Sequence, residues 1–117
     1  MFATKSGKGG KALFTLEQDG NDGVFKLTGE LDISNAKEIV ELLGPVAKQQ
    51  GDLRLDLSGL SFIDSSGIHA IVKVSKEMTG SRRLLLASPS PTVARALRLV
   101  RVDTFPNVEI VEEAAST

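Results

Sequence analysis

The sequence contains no cysteine, no tryptophan and no tyrosine, and His69 is its single histidine among 117 residues. The lack of cysteine excludes disulfide bonds, thiol chemistry and cysteine-ligated zinc. A lone histidine argues against a histidine-based metal site. Phenylalanine is the only aromatic residue type, so stacking on bases or sugars has little support. We therefore expect no metal ion, no cofactor and no nucleic-acid partner.

The chain also lacks a strong excess of one charge and a long apolar run. Its formal net charge is -1 at pH 7, which excludes a strongly basic nucleic-acid module and an acidic disordered chain. No apolar run approaches the roughly 20 residues of a membrane-spanning helix. The N-terminus lacks the apolar segment of a secretory signal. These features predict a cytoplasmic protein without a membrane partner.

The length and the 41% hydrophobic content are those of one globular domain. Residues 1–10 are small, polar and rich in glycine, and we expect a flexible arm there. Residues 113–117 are expected to form a flexible tail, which leaves 11–112 as the domain. Few hydrophobic residues fall outside the predicted inner helix faces, so we expect a monomer when the protein is free.

Hydrophobic periodicity predicts a regular order of strands and helices. Strands are expected at residues 12–18, 24–28, 53–57, 82–87 and 108–111. The helices are expected to run from the N-cap Ser34 to a kink or end at Gly44 and Pro45, from about Ser66 to Met78, and from the N-cap Ser90 onward. The order β-β-α-β-α-β-α-β predicts an α/β fold, with a mixed sheet of four to five strands packed against three or more helices.

The most informative segment is Asp64-Ser65-Ser66-Gly67, where a strand enters a helix. These are preferred helix-capping residues, so Asp64 could simply cap the helix. A second motif, Gly29-Glu30-Leu31-Asp32, follows the second predicted strand. Asp32 could likewise stabilise the turn before Ser34.

Taken together, the two motifs, their spacing and the order of elements over residues 12–111 resemble the STAS domain family (sulphate transporter and anti-sigma factor antagonist), in particular its stand-alone bacterial members. The resemblance implies an anti-sigma factor antagonist that is not an enzyme. Such a protein binds an anti-sigma factor with serine kinase activity and thereby releases a sigma factor. Phosphorylation by that kinase weakens binding, and a PP2C-type phosphatase reverses the modification. By the same resemblance Ser65 is the phosphorylated residue, and Ser66 is the second choice.

The remaining partner-binding candidates surround Ser65. Besides Asp32, Asp64 and Ser66, they include three residues on the second helix, namely Gly67, His69 and Lys73. Many family members have a small residue where this chain has His69. Because long helical side chains lean toward the N-terminus, His69 is expected beside Ser65, with Lys73 one turn further on. An exposed position without a special role explains His69 equally well.

Two other interpretations stay open. The chain could be a STAS accessory subunit of an ATP-binding cassette lipid-transport complex or of a stress-sensing scaffold, in which case Ser65 is not phosphorylated. It could instead be a small hydrolase that uses Ser65, His69 and Asp64. Three residues at one helix start cannot easily adopt the order of a catalytic triad, and the G-x-S-x-G motif is absent.

Overall fold

The computed structural model describes residues 3–6, 13–20, 23–49 and 51–112. These residues form one sheet with the strand order β1-β2-β3-β4-β5-β6, together with three α-helices and a 3₁₀ turn at Val102–Thr104. The strands are β1 (Ala3–Ser6), β2 (Phe14–Gln18), β3 (Val24–Leu31), β4 (Leu53–Ile63), β5 (Leu84–Ala87) and β6 (Val108–Val111), and the helices are α1 (Ala36–Ala47), α2 (Ser65–Lys76) and α3 (Pro91–Leu99).

The sheet is antiparallel from β1 to β3 and parallel from β3 to β6. Each of the three helices connects two neighbouring parallel strands, and the chain steps across the sheet in one direction. Because such crossovers are right-handed, all three helices lie on the same face of the sheet. The predicted α/β class, the mixed sheet and the element order from β2 onward are confirmed.

Alternation along the strands explains which face the helices cover. In β4, Leu53, Leu55 and Leu57 are buried, whereas Arg54 and Asp56 between them are only half-buried. Successive strand residues point to opposite faces, so the leucines face the helices. The core is continuous between this sheet face and the inner faces of the helices, where Ile39, Ile71 and others are fully buried.

Strand β1 is a difference from the sequence-based expectation. Ala3–Ser6 lies within the predicted flexible arm, yet these four residues pair with β2 in antiparallel register. The sheet therefore has six strands rather than four to five. This strand is held by backbone pairing with β2. Its small residues, followed by glycines, show none of the hydrophobic alternation from which a strand is predicted. The rest of the predicted arm, and the predicted tail at 113–117, lie outside the described residues.

The prediction that Ser34 caps α1 is wrong. The helix begins at Ala36 with Asn35 as its N-cap residue. The Ser34 hydroxyl instead donates to Asp32 Oδ1 at 2.6 Å, and the Ser34 backbone N–H donates to the same oxygen at 2.8 Å. Because this local turn uses the Ser34 side chain, the helix start shifts by one residue.

Helix α1 also continues through Gly44 and Pro45 to Ala47. Proline removes one backbone donor and is most disruptive in a helix interior. Here Pro45 lies in the last turn, and the backbone N–H of Lys48 donates to the Pro45 carbonyl at 3.3 Å. The predicted end of the helix at this position is therefore wrong.

Gly29 permits an irregular pairing of β3 with its neighbours. Its φ is +102°, and a Cβ atom there would lie 2.3 Å from the Leu13 carbonyl oxygen. The next residue, Glu30, donates its backbone N–H to that same oxygen at 2.9 Å, and the register with β4 shifts between Gly29 and Glu30. The glycine of the Gly29-Glu30-Leu31-Asp32 motif therefore has a structural reason.

We expect Gly29→Ala to lower the free energy of unfolding by about 1 to 3 kcal/mol, the usual cost of a strained backbone position. Urea unfolding followed by far-ultraviolet circular dichroism measures this change. Gly44→Ala is the matched control, because a Cβ at Gly44 in α1 meets nothing within 4 Å and alanine favours a helix by up to about 1 kcal/mol. Equal unfolding midpoints for the two variants would contradict this explanation.

Candidate functional site

The two sequence motifs meet because β3 and β4 are parallel neighbours that end at the same edge of the sheet. Leu31 at the end of β3 is in register with Ile63 at the end of β4. The backbone N–H of Asp64 then donates to the Leu31 carbonyl oxygen at 3.2 Å. The residues that follow each strand are thereby held side by side. We call the residues Asp32, Ile33, Asp64, Ser65 and Ser66 at this place the Ser65 edge.

Asp64 is the N-cap residue of α2. Its backbone is extended, with φ -110° and ψ -175°, and its Oδ1 accepts from the backbone N–H of Gly67 at 3.0 Å. The first hydrogen bond of the helix runs from the Ile68 N–H to the Asp64 carbonyl at 3.0 Å. The capping role of Asp64 is therefore confirmed.

Ser65 is the first residue of α2, and its side chain is exposed. The first N–H groups of any α-helix lack partners within the helix, and they carry the positive end of the helix dipole. An anionic group attached to Ser65 would thus find donors and a favourable potential nearby. Ser66, the next residue, is half-buried.

Gly67 is buried and lets α2 approach the sheet closely. A Cβ atom at this position would lie 2.8 Å from Ile63 Cγ1 and 2.9 Å from the Leu31 carbonyl oxygen. Any larger residue forces strand ends and helix apart or displaces these atoms, which typically costs about 1 to 3 kcal/mol. Gly67 thus shapes the Ser65 edge by packing rather than by presenting a side chain.

Asp32 organises the turn between β3 and α1. Besides accepting from Ser34, it donates its own backbone N–H to Asn35 Oδ1 at 2.9 Å. The Asn35 side-chain amide donates to the Glu30 carbonyl at 3.0 Å, and Asn35 is buried. These bonds fix the turn that carries Ile33, so the expected structural role of Asp32 is confirmed.

His69 and Lys73 are both exposed on α2. They follow Ser65 at steps of four residues and therefore lie along one side of the helix. Together with Ser66 they line a groove between α1 and α2. Sequence position and helix geometry thus bring Ser66, His69 and Lys73 to one surface that borders the Ser65 edge.

The structure does not assemble a hydrolytic triad from Asp64, Ser65 and His69. Asp64 uses Oδ1 to cap the helix, and within the described residues no hydrogen bond connects Ser65 to His69 or His69 to Asp64. In a catalytic triad the acid orients the histidine and the histidine contacts the serine. Neither contact is present here.

Sequence reasoning missed two exposed apolar side chains near the ends of β3 and β4. Ile33, between Asp32 and Ser34, is 79% exposed, and Phe62, near the end of β4, is 44% exposed. Solvent-exposed side chains of this size at a strand edge are typical of contact surfaces when they lie close together. The signal in the sequence was the apolar residue within an otherwise polar turn after Asp32.

Over the described ranges, no group of three or more histidine, cysteine or acidic residues is placed to hold a metal ion. Among the helices that the structure describes, none combines the length and apolar character needed to cross a membrane.

Comparison with known proteins adds a family and several relatives. The family model described as the STAS domain matches residues 14–115. The anti-sigma-B factor antagonist of Bacillus subtilis is 36% identical over 72 residues, which are 59% of this chain and 66% of the relative. The aligned part is thus just under two thirds of that relative's length.

Two solved structures resemble this fold. The anti-sigma factor antagonist SpoIIAA in its unphosphorylated form has a TM-score of 0.66 and 25% identity, with 86% of this chain and 89% of that chain covered. SpoIIAA of Bacillus in its phosphorylated form has a TM-score of 0.59 and 24% identity, with 86% and 92% covered. Because the identity to this second structure is only 24%, the similarity shows a shared fold and no more.

We expect Asp64→Ala to lower the free energy of unfolding by about 1 kcal/mol, because the Gly67 N–H loses its capping partner. Asp64→Ser should retain most of the stability, since serine is also a good N-cap residue. Urea unfolding followed by circular dichroism compares the two. A serine variant as unstable as the alanine variant would show that capping is not the role of Asp64.

Proposed function

The chain belongs to the STAS domain family, and from that membership we propose that it acts as an anti-sigma factor antagonist whose binding is switched by phosphorylation of Ser65. Its partner in this proposal is an anti-sigma factor with serine kinase activity. Capture of that factor releases a sigma factor. A PP2C-type phosphatase restores the unmodified form. The protein itself is a regulator rather than an enzyme.

One observation carries the proposal: an exposed serine begins α2 on a rigid junction, beside the turn that carries the exposed Ile33. Ser65 is exposed, and Asp64 and Gly67 fix the backbone on both sides of it. Ile33 supplies apolar surface at the Ser65 edge. A partner can bury this side chain and cover the serine in a single interface.

Phosphorylation at Ser65 would change this surface without unfolding it. A phosphoserine carries about -1.5 to -2 charges at neutral pH. The helix N-terminus tolerates that charge, because its free N–H groups and dipole favour anions. A docked partner, by contrast, meets added bulk and charge in the middle of its interface. A loss of about 1.4 kcal/mol is enough to weaken binding tenfold.

The exposure of the two serines supports Ser65 as the modified residue over Ser66. Ser65 is exposed, whereas Ser66 is half-buried against the groove between α1 and α2. A kinase must accept the serine hydroxyl into its own active site, which favours the more accessible residue. Ser66 therefore stays the second choice.

The other candidate residues then take distinct roles. Asp64 and Gly67 hold the serine in place, and Asp32 holds the turn that presents Ile33. His69 and Lys73 extend the surface along α2 and contact the partner. The anti-sigma-B factor antagonist of Bacillus subtilis and SpoIIAA support this interpretation, because both similar proteins are anti-sigma factor antagonists.

The proposal predicts which proteins three baits retain from a lysate of the source bacterium. Wild-type and Ser65→Ala baits are expected to retain a small ATP-binding serine kinase, identified by mass spectrometry. Ser65→Glu is expected to lose at least nine tenths of it, since the negative charge imitates phosphoserine. Phosphopeptide mapping of the native protein should place the phosphate on Ser65.

Ser66→Ala serves as the matched control, because it removes the neighbouring hydroxyl and should leave both capture and phosphorylation intact. If all baits retain the same partner and native Ser65 is never modified, the accessory-subunit interpretation replaces the switch. If the phosphate lies on Ser66, the choice of residue is wrong and the switch remains.

His69→Ala is expected to weaken the captured kinase's binding, or to slow its phosphorylation of Ser65, by about fivefold. That change corresponds to the loss of one hydrogen bond of about 1 kcal/mol. Isothermal titration and initial phosphorylation rates measure the two quantities. Arg95→Ala, at an exposed position on α3, is the control. Unchanged affinity and rate would show that His69 is an exposed residue without a special role.

A further inference from the structure

The groove between α1 and α2 has an apolar floor made of small residues. Ala36 and Ala70 are nearly buried, as is Val72, and Val40 is half-buried beside them. Alanine at these facing positions leaves space between the two helices that a larger side chain would fill. The cavity has a volume of about 650 Å³, within the range of about 300 to 1,000 Å³ that is usual for small-molecule sites.

The rim of the groove is mainly cationic. Lys37 on α1 and Lys73 and Lys76 on α2 carry three positive charges, and His69 adds an imidazole that can donate a hydrogen bond. Among the described residues, Glu41 is the one acidic residue that lines the groove. The net charge of the rim is therefore positive, and it complements an anion.

Two of these lysines are not occupied elsewhere. Lys37 and Lys73 make no ion pair within the described part of the chain. Lys76 is drawn partly aside, because its Nζ lies 6.0 Å from the centre of the Phe105 ring. Lys37 on α1 and Lys73 on α2 are thus the principal cations of the groove that are available to a ligand.

From this arrangement we propose that the groove binds a small amphiphilic anion, an apolar chain that carries one acid group. The chain lies on Ala36, Val40 and Ala70, and the acid group pairs with Lys37 or Lys73. The groove runs from Ser66 toward Lys76, about 15 Å along α2 at 1.5 Å per residue, so an extended chain fits its length.

The site borders the Ser65 edge but does not depend on the switch proposed above. Ser66 and His69 line the end of the groove nearest to that edge. A bound anion would therefore lie next to the first turn of α2. The inference rests on the groove alone, and its test involves no kinase and no sigma factor, so the two proposals can fail separately.

Decanoate below its micelle concentration is the probe. We expect it to shift backbone amide signals of α1 and α2 along the groove, saturably, in two-dimensional ¹H–¹⁵N spectra of the full chain. Decanol, which has the same chain without charge, should bind several-fold more weakly. Decyltrimethylammonium, the cationic counterpart, and acetate, the acid without a chain, should produce no saturable shifts there.

The double variant Lys37→Gln/Lys73→Gln is expected to weaken decanoate binding by roughly three- to tenfold, since each exposed ion pair is modest. Lys26→Gln is the matched control, because Lys26 is an exposed lysine on β3, away from the groove. The dispersion of the same spectra verifies that each variant is folded. Raising the salt concentration should weaken decanoate more than decanol.

Three results would overturn the proposal. Decanoate that causes no saturable shift shows that the groove is only a surface depression. Equal binding of decanoate and decyltrimethylammonium shows apolar contact without recognition of the acid group. Shifts confined to the other large groove, which is lined by Arg95 and Arg98 on α3, assign the anion site to that surface instead.

Discussion

The pairing of β3 with β4 is the constraint on which the candidate site depends. Because the two strands are parallel and end together, the turn after Leu31 and the helix start after Ile63 occupy one edge. The Asp64 N–H bond to Leu31 joins them, and the close approach of Gly67 to the same Leu31 carbonyl keeps α2 against the strand end. Asp32, Ile33 and Ser65 have defined relative positions only because this contact is made.

The motif residues divide into those that build the edge and those that face outward. Gly29 and Gly67 are required where a Cβ would collide with backbone oxygen atoms, and Asp32 and Asp64 each accept local backbone hydrogen bonds. These four positions are explained by folding alone. Within the described residues, the Ser65 side chain makes no comparable structural contact. The requirements of folding therefore do not explain why a serine is exposed at the start of α2.

Much of this could be predicted from the sequence, because the signals were local or periodic. Asp64 and Ser90 were identified as N-caps from their position before an apolar helical pattern, and both accept the expected backbone bond. The prediction that Ser34 caps α1 was wrong because the Ser34 hydroxyl donates to Asp32 in a competing local turn. The predicted helix end at Pro45 was wrong because the cost of a proline depends on how much helix follows it. The groove between α1 and α2 depends on packing between distant segments, which no local pattern reveals.

Strand β1 has a consequence for the handling of this protein. A free sheet edge offers unpaired backbone donors and acceptors to another molecule, and short edge strands reduce that hazard. Within the described residues, the four residues of β1 pair with β2, which would otherwise be the edge strand of the sheet. Residues 1–10 look dispensable by composition, yet trimming them would expose Phe14–Gln18 to edge-to-edge association. Among the described residues, Ala3–Ser6 therefore cover the backbone groups of β2 that another chain could pair with.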